Sequence, residues 1–445
     1  MTKNNLSVSL TPEFRLIQAF IEAGVSDVAT VTKLTVAGYV SEDDVDFIRD
    51  MMGNTLHELD LSNASIIRIS DWAFEHCVAL KSVILPNMLK IIDKESFHCC
   101  SGLVFINIPN SVIKIEKEAF MSCSALTEIV IPESMIMIGD YAFWGCGLTS
   151  VTIPASLTKI GNDIFRQCSR LTEITVHPDN PVFASQNGVL FSKDMTELIT
   201  YPQGRYGDYV IPDSVIIIRA SAFNFCAGLT SVVIPNKTLK IGDGAFSECS
   251  GLTSVIIPDS VVSIGNGAFR LCTGLTSVKI SESVKEVGYM VFRGCTGLTS
   301  VIIPNSVIEI YVAFYLCTGL TSIDIPKSTE KILWDFETCS ALISINVHPD
   351  NDVYSSIDGV LFSKDKTELI FFPQGKSGDY VIPETVLCIN REAFGECTNL
   401  TSVTIPESVI EIDEEGCIYS CSAHITVHPQ NPVFESKDGK LMKKY

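Results

Sequence analysis

The fold is decided by the stretch GLTSVVIPNKTLKIGDGAFSEC, which runs from Gly228 to Cys249 and returns as GLTSVIIPDSVVSIGNGAFRLC from Gly251 to Cys272. Its signature is a Phe followed three residues later by a Cys, and this pair recurs every twenty-odd residues along most of the chain. A fixed period of this kind is typical of a solenoid, in which one short unit stacks on the next. Function is then expected in columns of equivalent residues rather than in single residues.

The first half of each unit predicts a short strand. In LTSVIIP the Leu, the Val and the last Ile point inward, whereas the Thr, the Ser and the fifth residue point outward. The Pro marks the end of the strand because it cannot donate a ladder hydrogen bond. The second half, SVVSIGNGAFRLC, predicts an extended piece and then a tight helical turn with Phe and Cys on one face.

Composition argues against several function classes. The chain of 445 residues has a formal net charge of −20 and a pI near 4.7, which disfavours nucleic acid and anionic membrane surfaces as partners. No apolar run is long enough to span a bilayer. The N-terminus lacks the apolar segment of a signal peptide, so the sequence fits either an intracellular protein or the mature form of an exported one.

Cysteine usage follows the repeat. Twelve of the sixteen cysteines occupy the same repeat position. Stacked neighbours should lie about 5 Å apart with parallel Cβ vectors, which does not suit the disulfide dihedral of about ±90°. We therefore expect a ladder of small buried thiols rather than a disulfide framework.

Residues 1–55 do not repeat and are predicted to form a helical N-terminal cap. The first helix is expected to start at Thr11, with Phe14, Ile17 and Ile21 on its buried face. Residues 31–36 alternate like a strand. A second helix should begin at Ser41, with Asp44 completing a capping box and Val45, Ile48 and Met52 facing inward.

The period is interrupted by two long inserts within the solenoid, which spans residues 56–433. VHPDNPVFASQNGVLFSKDMTELITYPQGRYGDYVIP, at about 176–212, reappears as VHPDNDVYSSIDGVLFSKDKTELIFFPQGKSGDYVIP at about 347–383. Two apolar runs flank a polar turn in each copy, which predicts a β-hairpin that projects from the solenoid. A truncated third copy ends the chain at 434–445, where lysines would blunt an open sheet edge.

The units and their neighbours resemble the BspA-like leucine-rich repeats of bacterial surface proteins, and the resemblance covers about Leu56 to Val433. It implies a right-handed, gently curved leucine-rich-repeat solenoid that is β-rich, with short strands and short helical turns. It also implies a protein of the cell surface or a secreted one. The segment from Val31 looks like the cap that follows an export signal in Bacteroides-type members; a cytoplasmic location is the alternative.

Residue patterns for catalysis are absent from the sequence. There is no G-x-S-x-G elbow, H-E-x-x-H pair or phosphate-binding glycine loop. His177, His348 and His428 recur at one place in successive inserts, so they should lie apart and serve as turn residues rather than as ligands of one ion. We expect no enzyme activity, no metal and no cofactor.

The candidate binding site lies on the outward strand positions. One column carries Val233, Ile256, Lys279, Ile302 and Asp324, where a line of exposed β-branched side chains predicts a contact surface. Beside it stand Thr230, Thr253, Thr276 and Thr299. These threonines either form a hydroxyl platform for a ligand or simply suit a pleated surface.

The function that follows is recognition without catalysis. We expect an adhesin-like monomer that binds a protein or glycan, including host extracellular matrix or other cells, through the strand face. The alternative is an intracellular protein-interaction scaffold. The sequence does not identify the ligand, because the resemblance to a family is an analogy and not a site.

Overall fold

The structure, a computed structural model, describes residues 4–333, 336, 338–413 and 417–444. The chain divides into two compact units, Met1–Arg205 and Tyr206–Tyr445. In each unit short parallel strands stack one repeat on the next, so the predicted leucine-rich-repeat solenoid is confirmed. The boundaries predicted at residues 55 and 433 stay a prediction.

The first unit contains a parallel sheet on each side of its core, with strand orders β1-β2-β3-β5-β7 and β11-β9-β8-β6-β4. Strands β10 and β12 pair separately on the first side. The elements are β1 (Asn5–Leu10), α1 (Leu16–Glu22), a 3-10 helix (Val28–Thr30), β2 (Lys33–Gly38), α2 (Glu42–Met52), β3 (Glu58–Asp60), β4 (Arg68–Ile69), β5 (Ser82–Ile84), β6 (Ile91–Ile92), β7 (Phe105–Asn107), β8 (Lys114–Ile115), β9 (Met137–Ile138), β10 (Ser150–Ile153), β11 (Lys159–Ile160), β12 (Glu173–Val176), β13 (Phe183–Gln186), β14 (Val189–Ser192) and β15 (Glu197–Thr200).

The second unit carries a seven-stranded parallel sheet of order β16-β18-β20-β22-β24-β26-β28, followed by β32-β34-β36. Shorter strands of the return half pair behind it. The elements are β16 (Gly207–Val210), β17 (Ile217–Ile218), β18 (Leu229–Val233), β19 (Lys240–Ile241), β20 (Ser254–Ile256), β21 (Ser263–Ile264), β22 (Ser277–Lys279), β23 (Glu286–Val287), β24 (Ser300–Ile302), β25 (Glu309–Tyr311), β26 (Ser322–Ile325), β27 (Lys331–Leu333), β28 (Ser344–Val347), β29 (Tyr354–Ile357), β30 (Val360–Ser363), β31 (Glu368–Phe371), β32 (Gly378–Val381), β33 (Cys388–Ile389), β34 (Leu400–Ile405), β35 (Glu411–Ile412), a 3-10 helix (Cys417–Ser420), β36 (His424–Val427), β37 (Phe434–Lys437) and β38 (Lys440–Lys443).

The N-terminal segment is a mixed cap rather than the helical one that the sequence predicted. Strands β1 and β2 pair in parallel, and β2 continues the sheet onto β3 of the first repeat. The predicted capping box of α2 is confirmed, since the side chains of Ser41 and Asp44 each accept from the other's backbone N–H. The predicted buried face of α2 is also confirmed: Val45, Ile48 and Met52.

The predicted start and face of α1 are wrong. Thr11 and Phe14 exchange backbone hydrogen bonds of 3.2 Å in both directions, which closes a tight turn. The helix therefore starts later, with Arg15 as N-cap, and its apolar face is rotated from the predicted one. The buried residues are Leu16, Ala19 and Phe20, whereas Ile17 and Ile21 are exposed.

The return half of each repeat is a pair of turns rather than the predicted helical turn. Around Phe74, the residues two before and two after it, Trp72 and His76, have φ of 56° and 58°. Left-handed residues at this spacing interrupt a helix. The N–H of Phe74 donates instead to the carbonyl of Ser96 in the next repeat, at 2.7 Å.

The ladder thiols have a structural partner that the sequence did not predict. Cys100 Sγ donates to the carbonyl of Phe74 at 3.0 Å, and Cys272 Sγ donates to Phe246 at the same distance. The bond therefore links each repeat to its predecessor. Every cysteine whose side chain the structure describes is free, so the predicted ladder of thiols is confirmed for these residues.

The two complete inserts do not project, contrary to the prediction. The first is a three-stranded antiparallel sheet, β13-β14-β15, and its Phe183 and Leu190 are buried in the core of the unit. The N–H of Ile174 on β12 donates to the Gly188 carbonyl at 2.9 Å, so the insert closes the open edge of β12. The second insert closes the open edge of β28 in the same way, since the N–H of Ile345 donates to the Gly359 carbonyl at 2.9 Å.

The truncated third copy closes the last strand of the second unit. Strands β37 and β38 pair antiparallel, and the N–H of Ile425 on β36 donates to the Gly439 carbonyl at 2.8 Å. The edge is therefore satisfied by backbone hydrogen bonds rather than protected by lysine charge alone. Tyr445 lies outside the described residues.

Candidate functional site

An exposed aliphatic column runs across the seven-stranded sheet of the second unit. We use this name for Val210, Val233, Ile256 and Ile302 together with Lys279 between the two isoleucines. The exposed fractions are 66% for Val210, 54% for Val233, 69% for Ile256 and 65% for Ile302. These side chains alternate along each strand with buried ones, because neighbouring residues of a strand face opposite sides.

Strand register places the predicted column residues side by side. Ile256 pairs with Lys279, Lys279 with Ile302, and Ile302 with Asp324. Val233 pairs with Val210 on the other side. With strands about 4.8 Å apart, the column from Val210 to Ile302 is about 19 Å long. The structure thus brings the predicted residues together, whereas their role in binding stays a prediction.

The threonine column is part of the ladder itself. The hydroxyls of Thr253, Thr276 and Thr299 each donate to the backbone carbonyl of the threonine one repeat earlier, at 3.3, 3.1 and 3.2 Å. Thr230 donates to the Asp208 carboxylate at 2.7 Å. The hydroxyl protons are therefore used inside the protein, which favours the structural interpretation of these threonines over the hydroxyl platform.

Polar pairs lie beside the aliphatic column on β16 and beyond its last residue on β26. Hydrogen bonds from Thr230 and then Ser231 lower the pKa of Asp208, so its carboxylate stays charged to more acid pH. At the other end, Asn346 Nδ2 donates to Asp324 Oδ1 at 2.9 Å. The apolar part of the surface is thus confined to β16 and the strands between it and β26.

A shallow groove follows the centre of the column. It has a volume of about 500 Å³, and its lining includes Val233, Ile256, Asp259 and Lys279. Asp259 accepts a hydrogen bond of 2.9 Å from the hydroxyl of Ser281. The groove combines an aliphatic contact area with one carboxylate and one ammonium group, which can fix the orientation of a partner.

Two features of this surface were missed in the sequence. Val210 belongs to the column, and its signal was the Ile-Pro that follows it, as in the other strands. A second aliphatic line lies on the return half, where Leu239, Val262 and Ile308 are 48%, 46% and 49% exposed. These side chains precede the short return strands and recur at the repeat period.

The first unit has a less apolar strand face. Its equivalent column contains Ile84 and Val130, but Asn107 lies between them and the next positions are Thr152 and Thr175. The hydroxyls of these two threonines are 2.9 Å apart. The second unit therefore holds the better candidate surface.

The insert histidines are turn residues, as predicted. His177 Nδ1 accepts from the N–H of Asp179 at 3.2 Å, and His348 accepts equivalently from Asp350. His428 does the same in the third copy. The important residue of the turn is the neighbouring asparagine, which the sequence did not single out.

Asn351 shows what that asparagine does. Its Nδ2 donates to the carbonyls of Pro326 and Thr329 at 2.8 and 2.9 Å, while its Oδ1 accepts from Val353 and Tyr354 at 2.9 and 2.7 Å. The side chain is fully buried. It therefore joins the insert to the preceding repeat, and Asn180 and Asn431 occupy the same place in the other copies.

Stacked strand-and-turn repeats with a buried leucine and isoleucine core define a leucine-rich-repeat protein. A family model described as BspA type leucine rich repeat region (6 copies) matches residues 52–178, 205–312, 310–375 and 370–436. The chain belongs to this BspA-type family. No curated protein matches the chain.

Solved structures of bacterial leucine-rich-repeat proteins are similar to the chain. A protein from Eubacterium ventriosum is 25% identical with a TM-score of 0.60, covering 69% of this chain and 84% of its own. One from Bacteroides ovatus is 26% identical with a TM-score of 0.50, covering 82% and 88%. A leucine rich cell surface protein from Faecalibacterium prausnitzii is 30% identical with a TM-score of 0.51, covering 70% and 83%. Within the described residues, no helix is long and apolar enough to cross a membrane.

Proposed function

We propose that this protein is a non-enzymatic, adhesin-like binder of proteins that acts at a cell surface or after secretion. The observation that carries the proposal is the aliphatic column, a line of four side chains that are each more than half exposed. Leucine-rich-repeat solenoids bind partners along such extended faces, because each repeat contributes a few residues.

The chemistry of the surface favours a protein partner over a glycan. Val233, Ile256 and Ile302 offer aliphatic contact area, and the cores of protein interfaces are apolar and depleted in charge. The adjacent threonine hydroxyls donate to backbone carbonyls, so they have no proton left for a sugar. A protein ligand with an apolar strip, such as an exposed segment of host matrix, fits this arrangement.

The expected energy of the column is sufficient for a specific contact. Full burial of an aliphatic side chain contributes about 1.5–3 kcal/mol, and these side chains are already partly covered, so about 1–2 kcal/mol remains for each. A glutamate at the same place would lose its hydrating water on binding and gain no hydrogen-bond partner, and this desolvation adds a further cost in binding free energy. Replacement of three residues should therefore weaken binding by about 100-fold or more.

The location is supported by the relatives rather than by the sequence. The Faecalibacterium prausnitzii protein, at 30% identity, is described as a cell surface protein. We propose the same location here. Protease treatment of intact cells, followed by immunoblotting of this protein, tests it: loss of the band before cell lysis is expected, and complete protection would favour the intracellular scaffold.

Binding should be measured with the purified chain on an array of extracellular-matrix glycoproteins, each printed before and after enzymatic deglycosylation. We expect binding to at least one protein in both forms. The triple variant Val233→Glu, Ile256→Glu and Ile302→Glu should lose it.

A matched control comes from the second aliphatic line. The variant Leu239→Glu, Val262→Glu and Ile308→Glu introduces the same charge at comparably exposed sites on the return half. It should bind like the natural chain, with both variants shown to be folded by circular dichroism. Equal loss in both variants would remove the strand face as the site, and loss on deglycosylation would identify a glycan ligand.

A further inference from the structure

Three metal-binding side chains from two neighbouring repeats meet in the first unit. Glu75 lies one residue after the Phe of its repeat, whereas Glu95 and His98 flank the next Phe. Their ligand atoms all lie within 4.8 Å of one another. His98 Nδ1 is 3.2 Å from Glu75 Oε1 and 3.5 Å from Glu95 Oε2. All three side chains are partly buried.

We propose that Glu75, Glu95 and His98 form a binding site for a divalent transition-metal ion such as Zn²⁺. Zinc bonds to nitrogen and oxygen are about 2.0–2.2 Å long, so two ligands of a tetrahedral site are about 3.3–3.5 Å apart. The 3.5 Å distance from His98 Nδ1 to Glu95 Oε2 agrees with that edge. The 3.2 Å distance from His98 Nδ1 to Glu75 Oε1 is a hydrogen bond and is slightly shorter than the edge. The imidazole disfavours Ca²⁺ and Mg²⁺, which prefer oxygen ligands, and the two carboxylates balance the charge of a divalent ion.

The turns of the return half hold these side chains in place. The N–H of His76 donates to the His98 carbonyl at 2.8 Å, which fixes the two layers against each other. His76 is exposed, with Nε2 3.8 Å from Glu75 Oε1, but it lies outside the group whose ligand atoms are all within 4.8 Å of one another, so water would complete the coordination.

Lys94 is the group that competes with the metal. Its Nζ lies 2.9 Å from Glu95 Oε1, and its side chain is 42% exposed. A long exposed side chain can turn into water when a divalent ion replaces it, because a surface ion pair contributes little. The other carboxylate and the imidazole are not paired with lysine or arginine in the described residues.

The Glu75, Glu95 and His98 cluster is not repeated in the next three repeats. The residues equivalent to His98 in the next three repeats are Met121, Trp144 and Arg166, which cannot complete such a site. Sequence motifs for metal sites rely on ligands that are close together in the sequence. These three ligands instead come from turns of two successive repeats, which become neighbours only when the repeats stack. The sequence therefore predicted no metal.

The test is calorimetric titration of Zn²⁺ into the full chain, freed of metal and kept reduced with a phosphine. We expect a one-to-one complex with Kd below about 10 µM. His98→Ala and the isosteric Glu75→Gln should each weaken binding at least about 10-fold, since each removes a ligand. His177→Ala, in an insert turn of the same unit, is the matched control and should bind as the natural chain does.

Cobalt separates this site from the thiols. The Co²⁺ complex should show the visible bands of nitrogen and oxygen ligands without a thiolate-to-cobalt charge-transfer band. The proposal would be overturned by any of three results: no binding at about 100 µM Zn²⁺, binding by His98→Ala and Glu75→Gln that is as tight as in the natural chain, or a thiolate-to-cobalt band.

Discussion

At the scale of single residues, the buried asparagine of each insert turn is more important for stability than the histidine beside it. Asn351→Ala removes one side chain but leaves four backbone groups without their partners. Each buried group without a hydrogen bond costs about 1–3 kcal/mol, so we expect a loss of at least about 3 kcal/mol in the free energy of unfolding. Urea denaturation followed by circular dichroism measures it.

His348→Ala provides the control for that prediction, since it changes the exposed residue of the same turn. Its single hydrogen bond to Asp350 spans an exposed loop. The free energy of unfolding should change by less than about 0.5 kcal/mol. If the two variants are equally stable, the asparagine does not hold the insert as described.

Thiol chemistry should follow burial along the cysteine ladder. Burial raises the pKa of the Cys77 thiol to about 12, and it raises the pKa of Cys100 well above its ordinary value. Since the thiolate is the nucleophile, Cys77 at pH 8 should react about 1000-fold more slowly than an ordinary exposed thiol. The partly buried Cys99 should be alkylated earlier, because opening of the fold is not required.

Timed iodoacetamide labelling at pH 8 with mass spectrometry of the peptides checks this order. Labelling in urea serves as the reference in which all thiols react. Modification of Cys100 as rapidly as its neighbour Cys99 in the native chain would contradict the buried ladder.

The sequence predicted the inward Leu, Val, Phe and Cys positions correctly, because the same positions are buried in every repeat. It gave no sign of the hydrogen bond from Cys100 to Phe74, or of the left-handed φ at Trp72. These features depend on contacts between layers. The Glu75, Glu95 and His98 cluster was invisible for the same reason, since its members are neighbours only after stacking.

At the scale of elements, the N-terminal cap should be one acid-sensitive part of the first unit. Burial alone would raise the pKa of Asp44, but hydrogen bonds from the Leu16 N–H, from Ser41 and from Arg15 outweigh it and lower the pKa below 3.8. A carboxylate with a lowered pKa stabilises the folded state above the unfolded value and loses that contribution as pH falls through the folded value. The attachment of α1 to α2 should thus weaken below about pH 3.8.

Hydrogen exchange of the α1 amides between pH 3 and 6, corrected for intrinsic rates, tests this dependence. Protection of α1 should fall at the acid end in the natural chain. In Asp44→Asn, which can still cap a helix, protection should be lower near neutral pH and vary less with pH. An identical profile in both chains would refute the assignment.

Prediction succeeded for elements where one strong local signal existed. The Ser41 capping box located α2 correctly. It failed at α1, because the Thr11–Phe14 turn competes with helix initiation and shifts the start to Leu16. Strand β1 was missed although Leu6, Val8 and Leu10 alternate with polar residues, which is the same period-two signal that predicted a strand at residues 31–36.

At the scale of the whole molecule, the first unit should fold without the second. A chain ending at Arg205 retains the cap, the repeats and the insert that closes β12. It should stay folded and unfold cooperatively. A chain ending at Val176 loses that closure and the buried Phe183 and Leu190, so it should aggregate through its open edge.

Sedimentation velocity and thermal circular dichroism of the two shortened chains check this expectation. Loss of cooperative unfolding in the longer one, or equally good behaviour of the shorter one, would show that the insert does not complete the unit. The period in the sequence established the solenoid, but this closing role required the hydrogen bonds between insert and repeat.

Closure by the inserts has a genetic consequence. The inserts that start at Val176 and Val347 share several short identical runs, such as VHPDN, GVLFSKD and GDYVIP, and each completes the strand before it. Unequal crossover between their coding sequences would remove or add a whole block of repeats in one event, and every resulting protein would still have closed sheet edges. The number of repeats can therefore change in steps of a block between strains, while the exposed column grows or shrinks with it.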